Sequence, residues 1–203
     1  HDQIEHRRCR ESPEDHQRNR RHYAAMIENI DRHVGRFLEV VQERGEMENT
    51  LLVYASDHGE MLGDHNRWGK HTWHTPSVGI PLIVAGPGVR SNVVSDALVS
   101  LHDLCATFLD YAGAEALPRT DARSIRPLLE GRQTEHRSVA LSGLLSWRMV
   151  TDGRFKLVVE EGHPDRLFEL NEDPWETRNI APDTPAEVRR LKKWLTVAQE
   201  KNL

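Results

Sequence analysis

The 203-residue sequence carries 27 lysines and arginines against 32 aspartates and glutamates, a formal net charge of −5, with a hydrophobic fraction of 37%. That is enough apolar material for a packed core, which excludes a wholly disordered chain, and the acidic balance argues against a nucleic-acid partner held mainly through its phosphates. No apolar stretch approaches the ~20 residues of a membrane span, so no membrane partner is expected, and Cys9 and Cys105 are too few and too far apart for a disulfide framework or a zinc pattern.

Residues 1–22 are polar, with His16, Arg18, Arg20, Arg21 and His22 interleaved with acids. They read as a solvated segment leading into a helix; a basic arm for an anionic partner is the other reading. The sequence opens on His1, not Met, without a signal-like apolar run, and so reads as the middle of a longer protein. Compartment is left unassigned, because any signal peptide would precede His1.

From Tyr23 the pattern turns helical: Tyr23, Met26, Ile27, Ile30, Val34, Phe37, Leu38 and Val41 recur at steps of three and four, with Gly45 placed to close the helix. Residues 51–55 and 80–85 are short apolar runs that do not alternate, as expected of strands buried on both faces of a parallel sheet. Gly86-Pro87-Gly88 marks a turn. A second helix carries Leu101, Leu104, Cys105, Phe108, Leu109 and Ala112, with Ser100 as N-cap and Gly113 as stop.

After Gly131 the segments 139–145, 148–151, 155–159 and 166–170 are short, partly alternating and separated by turn residues, among them Asp152-Gly153. Thr184-Pro185-Ala186-Glu187 has the spacing of a capping box and opens a last helix with Val188, Leu191, Leu195 and Ala198 inward. The fold class is therefore α/β, a mixed or parallel sheet flanked by helices, followed by a small antiparallel sheet plus helix. The expected division is a lead-in over 1–22, the α/β portion over 23–135 and an α+β annex over 136–203.

The densest polar cluster lies between the two apolar runs: Ser56-Asp57-His58-Gly59-Glu60, Gly63-Asp64-His65, Lys70-His71 and His74. A carboxylate and an imidazole at the carboxyl end of a strand suit a divalent cation, and Gly59 permits a sharp turn there. Carboxylate oxygen favours calcium, magnesium or manganese; imidazole shifts the balance toward manganese or zinc. Asp57 as a turn cap and His58 as an edge-packing residue remain open, and further ligands must come from elsewhere. Lys70 offers positive charge to an anionic substrate or is a solvated surface lysine. Asp64-His65 reads better as a turn bracing the loop than as a second ligand pair.

The run YASDHGEMLGDHNRWGK (54–70) resembles the sulfatases of the alkaline phosphatase superfamily. So do PLIVAGPG (81–88), YAAMIENIDRHVGRFL (23–38), SLHDLCATFLDYAGA (100–114), RMVTDGRFKLVV (148–159) and LFELNEDPWETRNIA (167–181), in family order. The resemblance implies an alkaline-phosphatase-like fold, of which this chain carries the second half. It makes Asp57 and His58 the metal-ligand pair and Lys70 the catalytic and substrate-binding lysine that contacts the sulfate. His71 and His74 lie near enough in sequence to line the pocket. Calcium is the expected cation, with manganese the alternative. Thr75 and Gly79 stand where many members have Glu and Arg.

Sulfatases also carry a C-x-P-x-R or S-x-P-x-R motif whose Cys or Ser becomes the formylglycine nucleophile, and no such motif occurs in these residues. The expectation is thus part of a metal-dependent sulfuric ester hydrolase, inactive as this chain alone, with a small sulfate ester as substrate. A phosphonate monoester or phosphodiester hydrolase on the same scaffold is the first alternative. A non-catalytic fragment, pairing through an exposed sheet edge with another chain or a second copy as a homo-oligomer, is the second.

Overall fold

The computed structural model describes residues 12–200 and resolves into two compact units, 12–71 with Pro76–Gly88 and Thr72–Thr75 with 89–200. Residues 1–11, including Cys9, lie outside the described residues. No helix of the described residues is long and apolar enough to cross a membrane.

The first unit opens with α1 (Pro13–Glu43), ten residues earlier than the periodicity predicts. The cause is local. Ser12 and Asp15 form a capping box, with the Ser12 hydroxyl accepting from the Asp15 amide at 3.2 Å, and Pro13 occupies the first helical position. The part of the expected solvated segment from Pro13 to His22 is therefore helix. At the other end Gly45 (φ 68°) donates to Gln42 O and Glu46 to Val41 O, the paired bonds of a left-handed helix stop. Val41 is the buried residue of α1, whereas Met26, Ile27, Ile30, Phe37 and Val40 are exposed, so the predicted apolar face is real but open within this chain.

β1 (Leu52–Ala55) and β2 (Leu82–Ala85) fall where the apolar runs place them, but they pair antiparallel, Leu52 opposite Ala85 and Tyr54 opposite Ile83. This corrects the expectation of parallel strands buried on both faces. Parallel neighbours need a crossover, normally a helix of several turns, and the connection here holds a 3-10 turn (Asp64–Asn66) and the four-residue α2 (Thr75–Val78). The paired side chains of Tyr54 and Ile83 lie on an exposed face.

The second unit contains α3 (Asp103–Tyr111), α4 (Arg126–Leu129), a four-stranded sheet and α5 (Pro185–Glu200). Ser100 is not the cap of α3: the helix begins at Asp103, whose own carboxylate accepts the Ser100 amide at 2.9 Å. The sheet is an antiparallel meander of β3 (Ala140–Leu144), β4 (Trp147–Thr151), β5 (Phe155–Glu160) and β6 (Arg166–Glu169), as the alternating segments predict. Val150, Leu157 and Leu167 from its central strands pack with Leu191 and Leu195 of α5 into the core.

Asp103 of α3 is a buried carboxylate in the same unit. Its carboxylate, fully buried, takes the Arg137 guanidinium through Nε at 2.8 Å and through a second, shorter contact, and lies 3.2 Å from the His136 ring. Burial pushes the carboxyl up, but the Arg137 hydrogen bonds, the Arg123 and Ser100 amides and the Arg137 charge outweigh it and hold it at about 2.

Candidate functional site

Asp57 and His58 leave the carboxyl end of β1 together, their side chains meeting at 3.5 Å between Asp57 Oδ2 and His58 Nε2. Asp57 Oδ1 accepts the His58 amide at 3.0 Å, and the Ser56 hydroxyl donates to the His58 carbonyl at 2.8 Å. His58 Nδ1 lies 2.8 Å from the Gly59 carbonyl, which can only accept, so Nδ1 is the donor there and Nε2 is the nitrogen turned toward the carboxylate. The Lys70 ammonium reaches that same nitrogen. The structure therefore brings Asp57, His58 and Lys70 to one point, and Asp57 and Lys70 are both exposed.

Lys70 arrives there on a loop closed at its neck. Met61 N–H donates to Gly69 O at 2.9 Å, Gly63 N–H to Arg67 O at 2.8 Å, and Glu60 Oε1 accepts the amides of Leu62 at 3.2 Å and Gly69 at 2.5 Å. Met61 is wholly buried under the loop. Gly69 (φ 78°) and His71 (φ 83°) flank Lys70 in left-handed backbone, which a glycine adopts freely and a histidine adopts at a cost. α1 braces the same loop: Arg20 donates to Leu62 O at 2.7 Å and pairs with Asp64 at 2.8 Å, and the His16 ring lies 5.3 Å from Trp68. Asp64 is thus a brace, and among the described residues no group of three or more His, Cys, Asp or Glu is arranged to hold a metal ion.

Gly59 matters for closeness, not for a left-handed turn. A Cβ there would stand 2.0 Å from the Pro76 carbonyl oxygen, and its amide donates to Ser77 O at 2.9 Å.

His74 belongs to the second unit. It is buried, its Nδ1 lies 2.6 Å from the Thr72 hydroxyl, and its ring stacks on Trp73 at 5.2 Å. Trp73 meets Trp147 edge-on at 6.3 Å and carries the Arg166 guanidinium 4.4 Å above its ring. Beneath this segment sits a buried ion pair: Lys156 Nζ and Glu176 Oε1 are 2.5 Å apart. Lys156 also donates to Trp73 O at 3.1 Å and Thr75 Oγ1 at 2.8 Å, while Glu176 Oε2 accepts the Thr75 amide at 2.6 Å. Burial holds the Lys156 amine below the usual lysine range, against the opposing charge and hydrogen bond of Glu176. Sequence reasoning missed Arg20, Lys156 and Glu176. Arg20 sits in a run that reads as solvent-facing, and the lysine and glutamate look like ordinary surface charges on a strand and in a turn.

The residues present fit part of a divalent-cation site. Asp57 oxygen and His58 Nε2, the nitrogen that Lys70 now touches, converge, with a backbone carbonyl fixing the imidazole as ligating histidines require; the other ligands would come from outside this set.

Comparison with known proteins identifies the family. The sulfatase family model matches residues 2–114, and a model described as N-sulphoglucosamine sulphohydrolase, C-terminal, matches 63–201. The chain belongs to the sulfatase family of the alkaline phosphatase superfamily, whose members include hydrolases. It is 32% identical over 171 residues to a choline-sulfatase of Rhizobium meliloti strain 1021, covering 81% of this chain and 33% of that protein. Among solved structures it resembles the phosphonate monoester hydrolase of Silicibacter pomeroyi at 30% identity and a TM-score of 0.77, over 86% of this chain and 39% of that one. A protein solved with its substrate D-glucosamine-2-N,6-O-disulfate is 25% identical with a TM-score of 0.81, over 88% and 40% of the respective chains. The chain spans about a third of the length of the choline-sulfatase it matches. These likenesses bear out the alkaline-phosphatase-like fold class.

Proposed function

We propose that this chain supplies the anion-clamping and part of the metal-holding machinery of a sulfuric ester hydrolase. The observation that carries the reading is the convergence of Asp57, His58 and Lys70 at the end of β1. Asp57 and His58 would hold a divalent cation, calcium first and manganese as the alternative, through a carboxylate oxygen and Nε2. When bound, that cation supplies charge stabilisation to the transferring group and helps acidify the nucleophile. Lys70, kept on its closed loop, places its ammonium where a negatively charged sulfuryl group is neutralised as the ester bond breaks. His71, next to Lys70 in the chain, and His74 are the further substrate contacts that the sequence suggests. No C/S-x-P-x-R motif occurs in the 203 residues, so the nucleophile, a formylglycine by family resemblance, is not among the groups supplied here and this chain alone is expected to have no turnover.

The substrate is a small sulfate ester. A phosphonate monoester or phosphodiester is the second reading, favoured by the 30% identity to a phosphonate monoester hydrolase. Turnover of an aryl sulfate, a phosphonate monoester and a phosphodiester by the full-length protein, loaded with calcium or manganese, tests both. Preference for the sulfate is expected. Preference for a phosphorus ester moves the assignment to the second reading, and turnover of none of the three, or full activity in Asp57→Asn, overturns both.

A further inference from the structure

We propose that the buried Lys156–Glu176 pair is a positioning device for the 73–75 segment, fixing the peptide groups on either side of His74. This rests on the sulfatase reading insofar as His74 is taken to line the substrate pocket. Lys156 and Glu176 have side chains 2% and 0% exposed. Two charges sunk that far are a poor way to gain stability, since apolar residues of similar size commonly do as well or better. What the pair does that apolar residues cannot is direct hydrogen bonds. Apart from the contact between the two charges, the side-chain bonds described for them all go to residues 73 and 75. Lys156 takes the carbonyl before His74 and the hydroxyl after it, and Glu176 takes the amide after it. With the Trp73 carbonyl and the Thr75 amide both fixed, the backbone at His74 has little freedom left.

The side chains on the segment are held the same way. Trp73 is gripped by Trp147 and Arg166, and the His74 ring lies on Trp73 with Nδ1 on the Thr72 hydroxyl. Thr75, the position where many sulfatases have Glu, supplies the hydroxyl that completes the coordination of the Lys156 ammonium.

The test separates positioning from mere support. In the full-length protein, Lys156→Met alone strands Glu176 and lowers Tm. The double variant Lys156→Met with Glu176→Leu removes both charges and is expected to regain Tm. If the pair positions His74, the double variant still shows displaced His74 imidazole signals by NMR and a KM for the sulfate ester raised about 10- to 100-fold, with kcat changed far less. Glu176→Gln, which keeps the shape and one acceptor oxygen, gives the same changes in smaller measure and covers the case in which the double variant does not fold. Recovery of Tm together with wild-type His74 signals and KM overturns the proposal. If the wild-type protein turns over no sulfate ester, the sulfatase reading falls, while the His74 signals still decide for or against the clasp.

Discussion

Arg20 and Asp64 stand 44 residues apart in sequence and meet in a 2.8 Å ion pair, with Arg20 Nε on the neighbouring Leu62 carbonyl at 2.7 Å. One side chain of α1 thereby holds two points of the loop that delivers Lys70. Both partners are partly exposed, so the pair's energetic worth is small even though its geometric effect is specific. Arg20→Ala is expected to cost about 0.5–1 kcal/mol of stability and to speed amide exchange at Asp64 and Asn66. Unchanged exchange at both amides would mean that the loop holds itself.

Gly59→Ala tests the tightest point next to the proposed metal pair. The added methyl would press on the Pro76 carbonyl oxygen at 2.0 Å and on that of Gly79 at 2.7 Å, both backbone atoms that cannot rotate away. A loss of about 1–3 kcal/mol is expected, with weaker calcium binding in calorimetric titration of the full-length protein. A variant of wild-type stability and affinity would show that the backbone here gives more than its packing implies.

Asp103 sets an acid limit on the second unit. Its folded value of about 2 lies below the ordinary 3.8, so its ionised form stabilises the fold above about pH 4 and that contribution disappears as pH falls toward 2. Integrated over the shift, the contribution is about 2 kcal/mol. Denaturant unfolding of wild type and Asp103→Asn across pH should show a gap that is constant near neutrality and closes between about pH 4 and pH 2. A gap that persists at pH 2 would place the stabilisation elsewhere than in the carboxylate charge.

Leu191 is wholly buried where α5 meets Val150, Leu157 and Leu167. Leu191→Ala should cost about 2–5 kcal/mol, read as a lower denaturant midpoint with unchanged slope. A loss under about 1 kcal/mol would mean that α5 is not part of the cooperative core.

The positions of strands and helices were largely legible in the sequence because each rests on local chemistry. The 3.6-residue period of α1, the glycine stop at Gly45, the Asp152-Gly153 turn and the alternation of the four-stranded sheet all survive folding. The Ser12/Asp15 capping box was equally local and readable, and recognising it would have moved the helix start from Tyr23 to Pro13. Strand direction was not legible. An apolar run of five residues says that a strand is buried, not which way its neighbour runs, and here the missing crossover helix decides.

The candidate site divides along the same line. Asp57, His58 and Lys70 lie within 14 positions of one another and could be read as a motif. The partners that hold the 73–75 segment could not. Lys156 and Glu176 act on residues 81 to 101 positions away, and a charged side chain carries no mark of whether it will be buried.

The neck of the Lys70 loop has an evolutionary consequence. Because the Met61–Gly69 and Gly63–Arg67 bonds and the Glu60 carboxylate close the loop at its base, and Arg20 holds Asp64, the tip at His65–Asn66 can lengthen without opening the neck. Doubling the length of such a tip costs only about 0.6 kcal/mol in closure entropy. Insertions there could reshape what the rim of the proposed site admits while the lysine stays where it is, so selectivity could drift without disturbing the charge that the proposed reaction needs.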